Sequence, residues 1–152
     1  MTTYFCDSNV WVALSVGGHV HNEAVMAWLA TVDPPDTIVM CRTIQLSYLR
    51  LVTTRAVIAA YDELPMTNVQ AWAACQAFLA DDRIVFRDDE PASLPGFWNE
   101  YAMRSTASPK LWMDAYLAAF ARAAGYRLVT TDGDFRQFPG LDLVLLTGGH
   151  AP

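Results

Sequence analysis

The stretch LWMDAYLAAFARAAGYRLVTTDGDF, residues 111–135, decides the fold. Its spacing predicts one helix, a tight turn at Gly125, a strand and a second tight turn at Asp132-Gly133-Asp134. The helix is apolar on almost every side, from Leu111 and Trp112 through Phe120 and Ala121, which is the pattern of a buried helix. Asp114 interrupts it in the first turn. The apolar run Leu128-Val129 climbs into Thr130-Thr131 and stops at Asp132. An unpaired carboxylate in such surroundings costs several kcal/mol, on the order of the penalty for burying any uncompensated polar group or more. Asp114, Asp132 and Asp134 together therefore ask for a cation.

Outward from this stretch the chain alternates strands and helices. Residues 2–6, TTYFC, form a short apolar strand that ends at Asp7, and a helix begins at once with Ser8 or Asn9 as its cap. Asp7 itself reads either as a helix cap or as a site residue at the strand's carboxyl end. Gly17-Gly18 breaks that helix, and a second follows over Val25–Leu29. Residues 37–41, TIVMC, are a second strand, leading into a helix over 44–52 that carries Gln45 near its start and Arg50 further along. Residues 53–64 read as a connector with weak helical signal. A helix capped by Thr67 or Asn68 leads to a third strand, RIVFR, at 83–87. The acidic run 88–90 reads as a solvated loop, and Phe97–Met103 as a short helix with aromatic contacts. Arg104, Ser105, Ser108 and Lys110 run polar and partly basic into the helix at 111. Residues 135–138 predict a helical turn, 141–146 a last strand, and 148–152 a frayed tail. Strands alternating with helices imply an α/β fold: three layers, α/β/α, around a mainly parallel sheet of about five strands. Ligands of such sheets collect beyond the carboxyl ends of the strands.

The 152 residues suit a single domain over 1–152. A formal net charge of −6 argues against nucleic-acid binding through a broadly basic surface, so any such activity must use local basic groups or a metal bridge to phosphate. Cys6, Cys41 and Cys75 are odd in number, widely spaced and set in apolar runs, with no CxxC pair. They read as small buried hydrophobes in a reducing cytoplasm, not as a disulfide framework or a zinc site. His19 and His21 read as surface or capping residues. The N-terminus has no basic segment followed by an apolar one, which argues against a signal peptide, and no apolar run is long enough to span a membrane.

Four acids fall at strand ends or adjacent helix starts: Asp7, Asp114, Asp132 and Asp134. If the strands beginning at 2 and 127 lie side by side, these acids meet at one edge. Crowded carboxylates raise one another's pKa, and a divalent ion removes that penalty. Oxygen ligands without His or Cys suit Mg²⁺ or Mn²⁺. The reaction class implied is hydrolysis of a phosphodiester by a metal-activated water. Asp at strand ends also serves receiver and phosphatase folds, but Asn9 stands where a phosphatase of that kind has its second Asp.

FCDSNVWVAL, HVHNEAVMAWL, QLSYLRLVT, DRIVFRDDEP and MDAYLAAFARAAGYRLVTTDGDF give the chain, over nearly its whole length, a pattern that resembles the PIN-domain ribonucleases, specifically the VapC-type toxins of toxin–antitoxin pairs. The resemblance implies that Asp7, Asp114 and Asp132 are metal-binding acids, that Asp134 is a fourth catalytic acid, and that Asn9 supports the first. It implies Mg²⁺ or Mn²⁺, an RNA substrate, a homodimer and a cognate VapB-type antitoxin seated in the active-site groove. Arg50 and Lys110 are candidates for contact with substrate or antitoxin. One position departs from the family: Gln45 stands where Glu is usual. Gln keeps an acceptor oxygen able to orient a bound water, but loses the charge. That departure supports an alternative, a weak or inactive PIN domain that binds protein or RNA.

Overall fold

The computed structural model describes residues 1–147; the expected frayed tail lies outside them. Five strands form one sheet: β1 (Thr3–Cys6), β2 (Thr37–Cys41), β3 (Ile84–Arg87), β4 (Arg127–Thr130) and β5 (Leu143–Leu145). Every pairing is parallel, and the order is β3-β2-β1-β4-β5. The chain winds outward from β1 to β3, then returns to place β4 on the other side of β1. This reversal makes the β1/β4 boundary the switch point of the sheet, where its carboxyl edge opens into a crevice. Register pairs Cys6 with Val129, and the Asp7 N–H donates to the Val129 carbonyl at 3.1 Å. Asp7 and Thr130 are therefore neighbours although 123 residues separate them.

The helices are α1 (Ser8–Ser15), α2 (Asn22–Leu29), α3 (Arg42–Val52), α4 (Arg55–Ile58), α5 (Asn68–Leu79), α6 (Leu94–Ala102) and α7 (Leu111–Ala124). Successive side chains of a strand point to opposite faces, and β1 shows which helix covers which face. The Tyr4 ring meets Trp28 of α2 edge-on at 5.4 Å, while Phe5 stacks on Phe120 of α7 at 4.8 Å. Helices α2 and α7 thus lie on opposite sides of the sheet, giving three layers. Trp11 of α1, Tyr48 of α3 and Phe78 of α5 fill one of the helix contacts.

Several local expectations shift. The N-cap of α1 is Asp7, one of the two roles its position allowed, and not Ser8 or Asn9: its carboxylate accepts from the backbone N–H groups of Asn9 and Val10. The connector over 53–64 contains α4 and a 3₁₀ turn at Ala59–Tyr61. Helix α6 begins three residues earlier than Phe97, with Pro95 in its first turn, where a missing N–H costs nothing. Helix α7 is buried from Ala115 to Ala121 except at Tyr116, but its first turn opens to solvent at Trp112 and Met113. The helix ends at Gly125, whose φ of +71° only glycine adopts without strain. All three cysteines are free and buried. His19 is buried against the Tyr61 ring, 4.3 Å between centroids, and its Nδ1 accepts from the His21 N–H. No helix among the described residues is long and apolar enough to cross a membrane.

Candidate active site

The site is built where β1 and β4 end. Asp7 is 4 % exposed, Thr130 not at all. The Thr130 hydroxyl donates to Asp7 Oδ2, and its oxygen accepts from the Asp132 N–H at 3.0 Å. Asp132 Oδ1 in turn accepts from the Asp134 N–H at 2.9 Å, capping the 3₁₀ turn Gly133–Gln137. One hydroxyl therefore ties the acid at the end of β1 to the turn carrying two more. Asp7 Oδ1 is filled by two N–H donors, leaving free acceptor capacity at Oδ2 alone; Asp132 Oδ2 has no protein donor.

Asp114 comes from the first turn of α7, on the far side of the crevice. It lines an open groove of roughly 410 Å³ with Arg104, Lys110, Leu111, Asp134 and Gln137. No ion pair among the described residues involves Asp7, Asp114, Asp132 or Asp134. Burial raises the pKa of Asp7 to about 6, against the opposing effect of its three hydrogen bonds, and Asp114 adds to the rise. Burial likewise raises Asp114 to about 6, helped by the negative charges of Asp132 and Asp134. Among the described residues no side-chain cation is bonded to any of the four.

That arrangement fits a hard divalent cation by its chemistry. The donors are oxygens only, free lone pairs remain on Asp7, Asp114 and Asp132, and the accumulated negative charge is uncompensated. Among the described residues no three His, Cys, Asp or Glu side chains converge tightly enough to enclose a bare ion. Mg²⁺ needs no such cage, since it keeps several waters and takes one or two carboxylates directly.

The remaining predicted residues fall in different places. Asn9 is exposed and supports Asp7 through its backbone N–H, not its side chain. Lys110 is in the acidic groove, at the N-cap of α7. Arg50 is not among that groove's lining: it borders a separate cleft between α3 and α5 with Leu49, Asn68 and Trp72. Gln45 is buried, its carbonyl oxygen accepting from Arg42 and its amide N–H directed at Cys75 Sγ, 3.5 Å away. Among the described residues no hydrogen bond joins that amide to Asp7, Asp114, Asp132 or Asp134. Sequence reasoning passed over Thr130, Arg104 and Gln137. The TTD triplet marked a hydroxyl at a strand end without saying which threonine faces Asp7, and the basic run 104–110 hinted at Arg104.

A parallel sheet with an acidic groove near its switch point, lined also by Lys110 and Arg104, defines an open α/β domain with its candidate site at the carboxyl edge. The PIN domain model matches residues 4–141, and the chain belongs to the PIN-domain family. It is 52 % identical over 141 residues to Ribonuclease VapC41 of Mycobacterium tuberculosis, an alignment covering 93 % of this chain and 97 % of that one. It is a ribonuclease of the VapC type. Among solved structures, the fold is similar to VapBC2 from Rickettsia felis bound to a promoter DNA fragment (TM-score 0.67, 17 % identity, 95 % of this chain and 98 % of that one). It is also similar to VapC20 of Mycobacterium tuberculosis, a toxin that cleaves the sarcin-ricin loop (TM-score 0.61, 18 % identity, 88 % and 92 %).

Proposed function

We propose that this VapC-type ribonuclease is an Mg²⁺- or Mn²⁺-dependent endoribonuclease, the toxin of a type II toxin–antitoxin pair. The observation that carries the metal reading is the hydrogen-bonded line Asp7–Thr130–Asp132–Asp134 facing Asp114, with none of these acids in an ion pair among the described residues. Asp7, Asp114 and Asp132 would hold the ion, with Asp134 beside them. When bound, a divalent ion supplies a nucleophilic water at neutral pH and stabilises charge developing on the phosphate. Thr130 keeps Asp7 aimed at the crevice and fixes the Asp132 turn against it. Lys110 and Arg104 place positive charge at the rim, where a phosphate of the backbone would otherwise be repelled by four acids.

An antitoxin seated in the active-site groove could extend its contact onto a second surface. Leu46, Val69 and Trp72 are exposed apolar residues on α3 and α5, next to the cleft that Arg50 borders. A VapB-type antitoxin segment with apolar side chains and an acid for Arg50 would fit there. A homodimer completes the proposed assembly. RNA cleavage by the purified chain with Mn²⁺ is expected, lost in both Asp7→Asn and Asp114→Asn. Cleavage that survives both changes would overturn the mechanism. RNA binding without cleavage at millimolar Mn²⁺ would favour a binding module in which Gln45 has replaced a catalytic charge.

A further inference from the structure

Beside the acidic groove lies a second, larger apolar one of roughly 430 Å³, lined by Thr43, Glu90, Trp98, Pro109, Trp112 and Tyr116. Pro109 lines both, so the two grooves adjoin at that residue. Trp112 and Tyr116 are four apart on α7 and share a face. Trp98 of α6 stands nearly perpendicular to both, at 84° and 78°, with centroids 6.2 and 5.3 Å away. Its indole N–H donates to the Trp112 carbonyl at 3.1 Å, which pins the aromatic corner in place. Yet Trp112 remains 52 % exposed and Met113 beside it 45 %. A preformed, exposed aromatic wall two residues from Asp114 is unusual for a free surface. Nothing in the fold requires it, because α7 is anchored by Phe120 and its alanines.

The polar groups of the two grooves divide the labour. Lys110 and Arg104 line the acidic groove; the aromatic groove has Glu90 at its edge, with Asp88 and Asp89 just before it in sequence. Glu90 Oε1 accepts from the Tyr116 hydroxyl at 2.9 Å, and burial with the neighbouring acid pushes the Tyr116 pKa up to about 12, so the hydroxyl stays a donor. Glu90 is exposed, its Oε2 accepts no hydrogen bond among the described residues, and Oε1 keeps a second lone pair. A phosphate would be repelled by this rim. A flat ring with a donor edge would stack on the indoles and meet a carboxylate. Guanine presents two adjacent N–H donors on its Watson–Crick edge; uracil presents one donor between two acceptors.

We propose that the aromatic groove is a nucleobase subsite that takes an unstacked guanine next to the phosphate held in the acidic groove. The proposal rests on the ribonuclease reading and supplies what that reading lacks, a reason for an acidic protein to choose among RNA sequences. Single-stranded RNA is recognised in this way, by bases splayed onto aromatic side chains and bonded at their edges.

The test is intrinsic Trp fluorescence of the whole chain in EDTA, titrated with the dinucleoside monophosphates GpU and UpU. GpU is expected to quench and to bind more tightly than UpU. Trp112→Ala should weaken GpU about ten-fold or more, the scale of losing one base–aromatic stack, and Trp112→Phe should restore most of it. Glu90→Gln should bring GpU and UpU within a factor of about three, because one bidentate pair carries about ten-fold discrimination or more. Equal affinity for the two ligands, or unchanged GpU binding in Trp112→Ala, overturns the subsite. A shift in sedimentation of Trp112→Ala with GpU binding intact would instead make the groove a contact between protein chains, and also overturns it. Because no cleavage is read, a failure of the ribonuclease reading shows separately, as absent RNA hydrolysis by the native chain with Mn²⁺.

Discussion

Thr130 is the residue on which the two ends of the chain depend. Its hydroxyl is donor to one acid and acceptor for the backbone of another, inside a site with no solvent to replace it. Thr130→Val keeps the shape and removes both bonds. It should cost about 1–3 kcal/mol of stability, the penalty for stranding a buried partner, read as a lower urea midpoint, and should lower RNA cleavage as Asp7 and the Asp132 turn separate. Asp7 makes a prediction of its own. Its folded pKa of about 6 lies above the ordinary 3.8, so the folded chain holds a proton that the unfolded chain releases first. Stability from this group is therefore full below about pH 4 and is lost as pH rises through 6, a change of about 3 kcal/mol. Asp114, half-buried, shifts in the same direction and adds less. The metal-free protein in EDTA should show a higher urea midpoint at pH 5 than at pH 7.5, and the gap should narrow in Asp7→Asn. A midpoint that rises across this interval and does so equally in the variant would count against a strained acid cluster.

At the scale of the element, α7 shows both what patterning reveals and what it hides. The run of alanines at 115, 118, 119 and 121 is fully buried, and small side chains let the helix lie close to α6 and the sheet. Ala118→Leu should be destabilising by about 1–3 kcal/mol through overpacking, measurable by chemical denaturation with far-UV circular dichroism. The apolar pattern correctly marked this helix as buried, and the strands were legible because β-branched and aromatic runs stop abruptly at Asp7, Arg42 and Asp132. The exposed first turn was not legible: Trp112 and Met113 look like core residues until the position of Trp98, fourteen residues away, is known. The acidic run 88–90 was legible only in part. It is the solvated loop its composition predicts, but composition did not show that Asp89 pairs with Arg87 at 3.2 Å and Glu90 accepts from Tyr116. Hydropathy registers the burial of a face, but a partner chosen across the fold leaves no local trace.

The whole molecule joins residue 7 to residues 114–134 only through the order of its strands, and that order was the least legible feature. Sequence placed four acids at strand ends or helix starts; the parallel register of β1 on β4 brings Asp7 beside the turn that carries Asp132 and Asp134. Position 45 is a separate case. Matched by sequence, Gln45 belongs with the acids, and in the fold its amide also bonds Arg42 and Cys75. A ligand that binds the folded chain and not the unfolded one raises stability by mass action, about 2.7 kcal/mol at a hundred-fold excess over Kd. A cation held between the two ends of the sequence should do so here. Mn²⁺ at pH 7.5 should therefore raise the melting temperature of the native chain, and Asp114→Asn should abolish most of the rise. Gln45→Glu places a carboxylate next to the Arg42 guanidinium, where the new charge is neutralised locally before it reaches the crevice. Calorimetric titration should show that this substitution changes Mn²⁺ affinity far less than Asp114→Asn does. A large gain in affinity from Gln45→Glu would put position 45 in the metal site.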